Sequence, residues 1–310
     1  IRHDPDADNP LIVAATREDY PARPTRAPFL WNKPDHIVPY VKDGRLKVNF
    51  KRHAYLEADI VAAQDEKFGG TYIGMNGHGV FAALNNRENG QKLSRGGITL
   101  DALTFATAAE GAGKLFDIVC AIQSDASKPR YTVFNLIIAD KRDAYVLINA
   151  KRNDFDTFSS NLETYKDLED FSIGLVKLPP QEVIFVAGYD DNDLKRSKRT
   201  ERHLAAYQKR PEPVFGNIAS WHDWVANMVH VPEEGNPFDY SIAQPNPADA
   251  RDNGKGDPAW VTIGTSLINT RKAGGVLGYE WYYHEDAPRA GIMSFLEVGR
   301  ERKKDLSVTI

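Results

Sequence analysis

Three charged residues follow the first apolar run of the chain. Residues 11–15 read Leu-Ile-Val-Ala-Ala, and after one threonine come Arg17, Glu18 and Asp19. An isolated ion is too costly to bury, so charges at the end of a buried strand must be paired or solvated. A guanidinium and a carboxylate meeting at a strand end are therefore our first candidate for a site. The alternative is an ion-pair cluster with a purely structural role.

A second stretch combines glycines, a hairpin signal and two asparagines. Asn76-Gly77 lies between two apolar runs and predicts a tight β-hairpin. The run at residues 69–71, Gly-Gly-Thr, could cradle a phosphate, but no Lys and no helix follow it, which favours a turn into a strand. Asn85 and Asn86 end the hairpin, where they either cap a strand or contribute polar groups to a site.

Other candidates for chemistry are weaker. Cys120 lies in an apolar segment and is predicted to be a buried, unreactive thiol. His222 and His230 share a helical spacing but lack the further ligands of a zinc motif, so we predict no metal site. The basic run 195–202 is predicted to be a solvated helix face, and the aromatic run 279–284 a strand packed on both faces or a pocket wall.

Composition limits the function classes. The 310 residues are 42% hydrophobic and 10% aromatic, enough for a sizeable core. A net charge of −4 gives no general attraction to nucleic acid or anionic membranes, and we expect no nucleic-acid partner. The longest apolar runs, such as residues 133–139, are too short to span a bilayer.

The single cysteine excludes intrachain disulfides and multi-cysteine zinc sites within this sequence. It fits a reducing compartment, and we expect a cytoplasmic protein. Because the sequence begins at Ile1 rather than at a methionine, we expect residues upstream of it, and a signal peptide is left open.

Strand patterns outnumber helix patterns. Two hairpins are predicted, residues 71–75 with 80–84 and residues 132–139 with 144–150. Further strands are predicted at residues 182–187, 260–268, 278–283 and 292–298. Helices are predicted at residues 100–109 (ending at Gly111), 193–208 and 218–229, with a long loop or insertion at about 232–258. Antiparallel hairpins with few helices predict an α+β fold of stacked sheets, in a single domain over residues 1–310.

In this order, the two stretches resemble the transport-and-Golgi-organisation family, whose bacterial members are called NRDE proteins after an Asn-Arg-Asp-Glu motif. The motif corresponds to residues 16–19 here, Thr-Arg-Glu-Asp, and Arg23-Pro24 follows it as in the family. The second family block matches residues 69–86, and weaker matches occur at 134–140 and 178–180. The resemblance is strong over about residues 11–150.

The family is similar to N-terminal-nucleophile hydrolases, which implies a four-layer αββα sandwich of two mainly antiparallel sheets. In such enzymes a Cys, Ser or Thr at the chain start attacks the substrate while its own α-amino group acts as base. The resemblance implies that Arg17 and Asp19 orient this nucleophile, with Glu18 as the rival for the acidic role. It also implies that Asn85 binds the oxyanion and that the nucleophile lies just upstream of Ile1.

The resemblance further implies substrate contacts by Thr71 and Asn86. It places Gly188 where the family has an Asn, and Ser266 where it has an Arg. We therefore expect an amidohydrolase or acylase acting on a small amide or acyl conjugate, with no cofactor. The alternative is a non-catalytic binding or trafficking protein for an apolar ligand (a lipid, acyl carrier or haem-like molecule) on the same fold. The oligomeric state is left open.

Overall fold

The regular structure consists mainly of β-strands. The computed structural model describes residues 1–19, 23–31, 59–67, 69–86, 93, 95–127, 129–152, 161–180, 211–221, 261–273, 276–285, 292–298 and 303–309. The strands are β1 (Arg2–His3), β2 (Leu11–Asp19), β3 (Thr25–Leu30), β4 (Ile60–Asp65), β5 (Ile73–Asn76), β6 (Phe81–Asn86), β7 (Phe134–Ala139), β8 (Ala144–Lys151), β9 (Leu162–Asp167), β10 (Phe171–Lys177), β11 (Val261–Ala273), β12 (Val276–His284), β13 (Ile292–Val298) and β14 (Lys303–Thr309). The helices are α1 (Gly96–Ala102) and α2 (Ala108–Ser124), with a short 3₁₀ helix at Ile218–Trp221.

The strands form two antiparallel sheets. One has six strands in the order β1-β2-β11-β12-β13-β14, and the other has eight in the order β3-β4-β5-β6-β7-β8-β10-β9. Both predicted hairpins are confirmed, as β5–β6 and as β7–β8. The two sheets stack on each other, because side chains of both contribute to one shared apolar core. The predicted α+β sandwich of two mainly antiparallel sheets is confirmed.

Alternation along the strands of the eight-stranded sheet separates two cores. On β7, Phe134, Leu136 and Ile138 face the core shared with α1 and α2, whereas Ile137 and Ala139 face the other sheet. We call the space between the sheets the inter-sheet layer. Burying each large apolar side chain contributes roughly 1.5–3 kcal/mol, so this alternation fixes which side chains enter each core.

Residues 211–221 cover part of the outer face of the six-stranded sheet. Asn269 on β11 donates from Nδ2 to the Pro213 carbonyl at 3.1 Å, and the Gly216 amide donates to Glu280 Oε2 at 2.5 Å. Trp221 is fully buried here. The predicted helix 193–208 and loop 232–258 lie outside the described residues, as do the predicted strand 182–187, the basic run and both histidines considered as metal ligands.

The predicted helix at residues 100–109 is wrong. Helix α1 ends at Ala102, and α2 begins at Ala108, so Gly111 lies in the first turn of α2 instead of ending a helix. The reason is a helix start signal at Thr107, whose hydroxyl accepts from the Glu110 amide at 3.2 Å. Asp140, in the β7–β8 turn, also accepts from the Ala108 amide at 2.7 Å.

The predicted burial of Cys120 and the predicted packing of the aromatic run on both faces of a strand are confirmed. Cys120 lies on α2 and is buried in the core beneath it, and burial raises the pKa of its thiol. On β12, Trp281 and Tyr283 enter the inter-sheet layer while Tyr282 and Glu280 lie on the outer face, so this strand packs on both sides. No helix in the described part of the chain is long and apolar enough to cross a membrane.

Candidate functional site

Arg17 enters the inter-sheet layer near the end of β2. Leu11, Val13 and Ala15 on the same strand pack into the inter-sheet core, and alternation puts Arg17 on their face. Only 7% of the Arg17 side chain is exposed. A guanidinium always carries its charge in a protein, so it needs nearby partners at this depth.

Partners for Arg17 come from β3, from β4 and from the bend just before β5, all on the side of the other sheet. Asp65, at the end of β4, lies 3.5 Å away as an ion pair, and Thr25 on β3 accepts a 2.5 Å hydrogen bond from Nη1. The Tyr72 ring lies under the guanidinium, 4.7 Å from its centre, in cation–π geometry. Arg23 forms a second ion pair with Asp65. Arg17 therefore ties the two sheets together at this end of the sandwich.

Tyr283 forms the wall of this cluster on the six-stranded sheet. It packs against Gly264, which pairs with Arg17 across the β2–β11 ladder, and a Cβ added to Gly264 would lie 2.7 Å from the tyrosine oxygen. Burial, followed by the neighbouring Tyr72 hydroxyl, raises the pKa of Tyr283 well above its usual range. Tyr283 therefore stays a neutral hydroxyl, and Gly264 leaves it room.

Several buried polar atoms of the inter-sheet layer have no hydrogen-bond partner among the described residues, and three of them belong to residues singled out by the sequence or to their direct strand partners. These three are Asn85 Nδ2, Asn135 Oδ1 and Ser266 Oγ. Asn135 and Ser266 are 4% and 2% exposed. Alternation on β6, β7 and β11 turns all three side chains toward the inter-sheet layer. Buried polar groups are nearly always satisfied, so these atoms call for a ligand or ordered water.

The unpaired atoms lie at the same end of the sandwich as Arg17. The Tyr72 carbonyl accepts from the Leu84 amide at 2.7 Å, one residue before Asn85. Asn85 pairs directly with Asn135 across β6 and β7. On the facing sheet, Ser266 pairs with Tyr283, the neighbour of Tyr72. A charged cluster and a set of unsatisfied hydrogen-bonding groups thus lie at the same end of the inter-sheet layer.

The other residues predicted for the site are placed less completely. Only the backbones of Glu18, Asp19 and Asn86 are described, with Glu18 opposite Thr262 on β11. The described carboxylate that pairs with Arg17 is Asp65. Gly188 lies outside the described residues.

Thr71 is buried, and its hydroxyl donates to the Ile73 carbonyl at 2.8 Å and accepts from the Ile73 amide at 3.3 Å. This local turn holds the start of β5. The catalytic and substrate-binding roles of all the predicted site residues, Thr71 included, stay predictions.

Sequence reasoning missed Asp65, Tyr72 and Tyr283. Asp65 could have been found by the pattern that pointed to Arg17, a charged residue at the end of an apolar strand, because it ends the strand Ile60–Asp65. Tyr283 belongs to the aromatic run, where period-two alternation separates it from Tyr282. The contacts of Asp65 and Tyr72 with Arg17 depend on how the two sheets stack, and the position of Tyr283 depends on the pairing of β2, β11 and β12. No local pattern encodes either.

The first strand is anchored to both sheets. Arg2 is buried and forms an ion pair with Glu212 in the segment on the outer face, and it donates to the Asn9 carbonyl at 2.6 Å. Nε2 of His3 lies 2.9 Å from the carbonyl oxygen of Asp140 in the β7–β8 turn. Since a carbonyl only accepts, Nε2 carries the proton.

Acid is expected to loosen this anchor. Burial lowers the pKa of His3, only partly opposed by the Asp140 carbonyl, and Nδ1 is buried without a partner among the described residues. The unfolded chain therefore binds a proton more readily than the folded one, so stability falls as pH drops below about 6.5. His3→Gln, which keeps a donor for Asp140, should flatten this loss in urea unfolding between about pH 7 and pH 5. The same substitution at exposed His78 is the control, and an unchanged slope in His3→Gln would contradict the assignment.

Stacked antiparallel sheets, with helices on one outer face and a polar cluster between the sheets, define an α+β sandwich with a candidate site in its inter-sheet layer. The chain belongs to the Transport and Golgi organisation 2 (TANGO2) family, whose pattern it matches over residues 46–209, more than half of its 310 residues. This confirms the resemblance predicted from the sequence. The matched region includes Asn85 and Asn135 and begins after Arg17.

Among solved structures, the chain is similar to a variant of conjugated bile acid hydrolase from Clostridium perfringens. The two share 12% sequence identity with a TM-score of 0.45, over 100% of this chain and 95% of that chain. No curated protein matches the sequence significantly.

Proposed function

We propose that this protein is an N-terminal-nucleophile amidohydrolase that cleaves a small amide or acyl conjugate at the Arg17 end of the inter-sheet layer. The observation that carries the proposal is a buried, fixed positive charge at the same end of the inter-sheet layer as an unpaired amide donor, Asn85 Nδ2. Hydrolysis of an amide passes through a tetrahedral oxyanion, which such a donor stabilises. A guanidinium beside a thiol also favours the reactive thiolate.

The register of β1 supports a position for the nucleophile. Arg2 pairs with Ile12 and His3 with Leu11, so each step upstream in β1 moves one residue further along β2. Continued in this register, the fourth residue before Ile1 would come opposite Arg17. A Cys, Ser or Thr there would lie beside the guanidinium, and its α-amino group, with a reference pKa near ~8, could act as base.

The reaction would proceed in two steps. The nucleophile attacks the carbonyl carbon and gives its proton to the α-amine, while Asn85 donates to the oxyanion. Collapse of the tetrahedral intermediate breaks the C–N bond, and the α-amine returns the proton to the leaving amine. Water then attacks the acyl-enzyme in the same way, releasing the acid and regenerating the nucleophile.

The test uses the full-length gene product with its native upstream residues. Intact mass spectrometry identifies the first residue of the mature chain, and a panel of N-acyl amino acids is assayed for amine release. We expect a Cys, Ser or Thr within about five residues before Ile1, an acyl-enzyme mass increase, and loss of turnover on its replacement by Ala. Cys120→Ala is the matched control, because this buried thiol should be dispensable. Turnover that survives loss of the upstream residue would refute the mechanism.

A second candidate function is a binding protein for an apolar ligand in the same layer. It is favoured by Ser266, which stands where the related hydrolases have an arginine, and by the aromatic side chains of Trp281 and Tyr283 on the wall of the layer. A lipid-like molecule that co-purifies with the full-length protein, combined with no turnover of any amide, would favour this function over hydrolysis.

A further inference from the structure

An unpaired acceptor lies next to the proposed oxyanion donor, and the mechanism above does not use it. Asn85 and Asn135 pair directly across β6 and β7, both on the inter-sheet face. Side chains in such positions have Cβ atoms ~4.5–5.5 Å apart. Asn85 leaves a donor, Nδ2, without a partner among the described residues, and Asn135 leaves an acceptor, Oδ1.

The two unpaired atoms differ in their hydrogen-bonding role, since Asn85 Nδ2 is a donor and Asn135 Oδ1 is an acceptor. Asn135 is 4% exposed, so bulk water does not readily satisfy its oxygen. An oxygen acceptor requires an N–H or O–H from its ligand, whereas Asn85 Nδ2 requires an acceptor such as a carbonyl. A group with one carbonyl and one N–H on adjacent atoms would satisfy both.

We infer that Asn85 and Asn135 together bind a secondary amide of the substrate. Asn85 Nδ2 donates to the carbonyl oxygen, and Asn135 Oδ1 accepts the amide N–H. Because these two bonds of a trans amide point in opposite directions, the amide lies between the two side chains. The inference rests on the proposed function and narrows its substrates to secondary amides, against esters and tertiary amides, which lack the N–H.

The contrast with other buried asparagines supports this assignment. Asn76 uses its amide group fully, donating to the Leu103 and Phe105 carbonyls at 2.8 Å each and accepting from two amides of its own turn. Asn149 lies on β8, and it donates to the Thr132 carbonyl and accepts from Gln123 at 3.0 Å each. Asn76 and Asn149 are thus satisfied by protein groups, whereas the Asn85–Asn135 pair leaves a donor and an acceptor side by side, which points to a ligand.

The experiment compares three probes on the full-length protein: an N-acyl amino acid, its N-methyl tertiary amide and the corresponding ester. Affinity is measured by calorimetry and turnover by product release. We expect Asn135→Leu to reduce affinity or kcat/KM about 10- to 100-fold for the secondary amide and to change the other two little. Asn135→Ser, a smaller change in case leucine prevents folding, should have the same selective effect.

Asn269→Leu is the matched control. Asn269 is also fully buried with an unpaired Oδ1, but it lies on the outer face of the six-stranded sheet, so its replacement should leave probe preference unchanged. Turnover of amides with an unaltered preference in both Asn135 variants would overturn the inference and leave the proposed function standing. Selective binding of the secondary amide without turnover would support the inference and refute hydrolysis. Failure to bind or cleave any probe would overturn both.

Discussion

Replacing Arg17 with methionine is expected to lower kcat/KM for amide hydrolysis by the full-length protein about 100- to 1000-fold. The substitution keeps an apolar stem in the inter-sheet layer but removes the positive charge, and one preorganised electrostatic contact is typically worth this much in rate. Arg17→Lys should recover only part of the activity, because a single ammonium nitrogen cannot reproduce the planar fork that places Nη1 on Thr25 and Nη2 on Asp65. Steady-state kinetics on a cleaved N-acyl amino acid measure both effects.

Stability should change less than activity in Arg17→Met. Asp65 keeps its ion pair with Arg23, so the loss of unfolding free energy should be about 1–3 kcal/mol, below the ~3–5 kcal/mol typical of an abandoned buried charge. Arg26→Met is the control, since this exposed arginine on β3 stacks on Phe29 at 3.9 Å and lies outside the cluster. If the Arg17→Met protein folds and retains wild-type turnover, Arg17 has no role in catalysis and the proposed site loses its central group.

The sequence predicts which polar residues lie at the ends of strands better than it predicts which residues of the other sheet contact them. The apolar run that begins at Leu11 is sufficient to expect Arg17 at the end of a buried strand, and the Asn76-Gly77 turn predicts the hairpin that carries Asn85. The structure adds a carboxylate that the sequence did not single out, because Asp65 meets Arg17 only when the two sheets stack. Asp65 is 48 positions from Arg17 in sequence, and no local pattern specifies that pairing.

The helical segment illustrates the same limit at shorter range. A glycine at position 111 was interpreted as a helix end, although Thr107 and Glu110 form a start signal three residues apart. The structure adds a non-local reason for the helix to begin there. The carboxylate of Asp140, more than 30 residues downstream, accepts from the Ala108 amide and so binds the positive end of α2.

Gly70→Ala is expected to destabilise the protein by about 3 kcal/mol, at the upper end of the range for overpacking. A Cβ at Gly70 would lie 2.7 Å from the Cα and carbonyl carbon of Gly96, which are backbone atoms that cannot rotate away. The Thr71 amide donates to the Gly96 carbonyl at 2.9 Å, so separating the two segments would also break this bond. Urea unfolding monitored by tryptophan fluorescence measures the loss.

Activity should fall with stability in this variant, because the same displacement would move Tyr72, two residues along the chain, from beneath the Arg17 guanidinium. Gly113→Ala is the matched control for adding one methyl group. Gly113 lies on the exposed side of α2 with no atom within 4 Å of the added Cβ, so alanine should stabilise the protein by up to ~1 kcal/mol through its higher helix propensity. If the two variants unfolded at the same urea concentration, the backbone contact between Gly70 and Gly96 could not be what holds the start of β5 against α1.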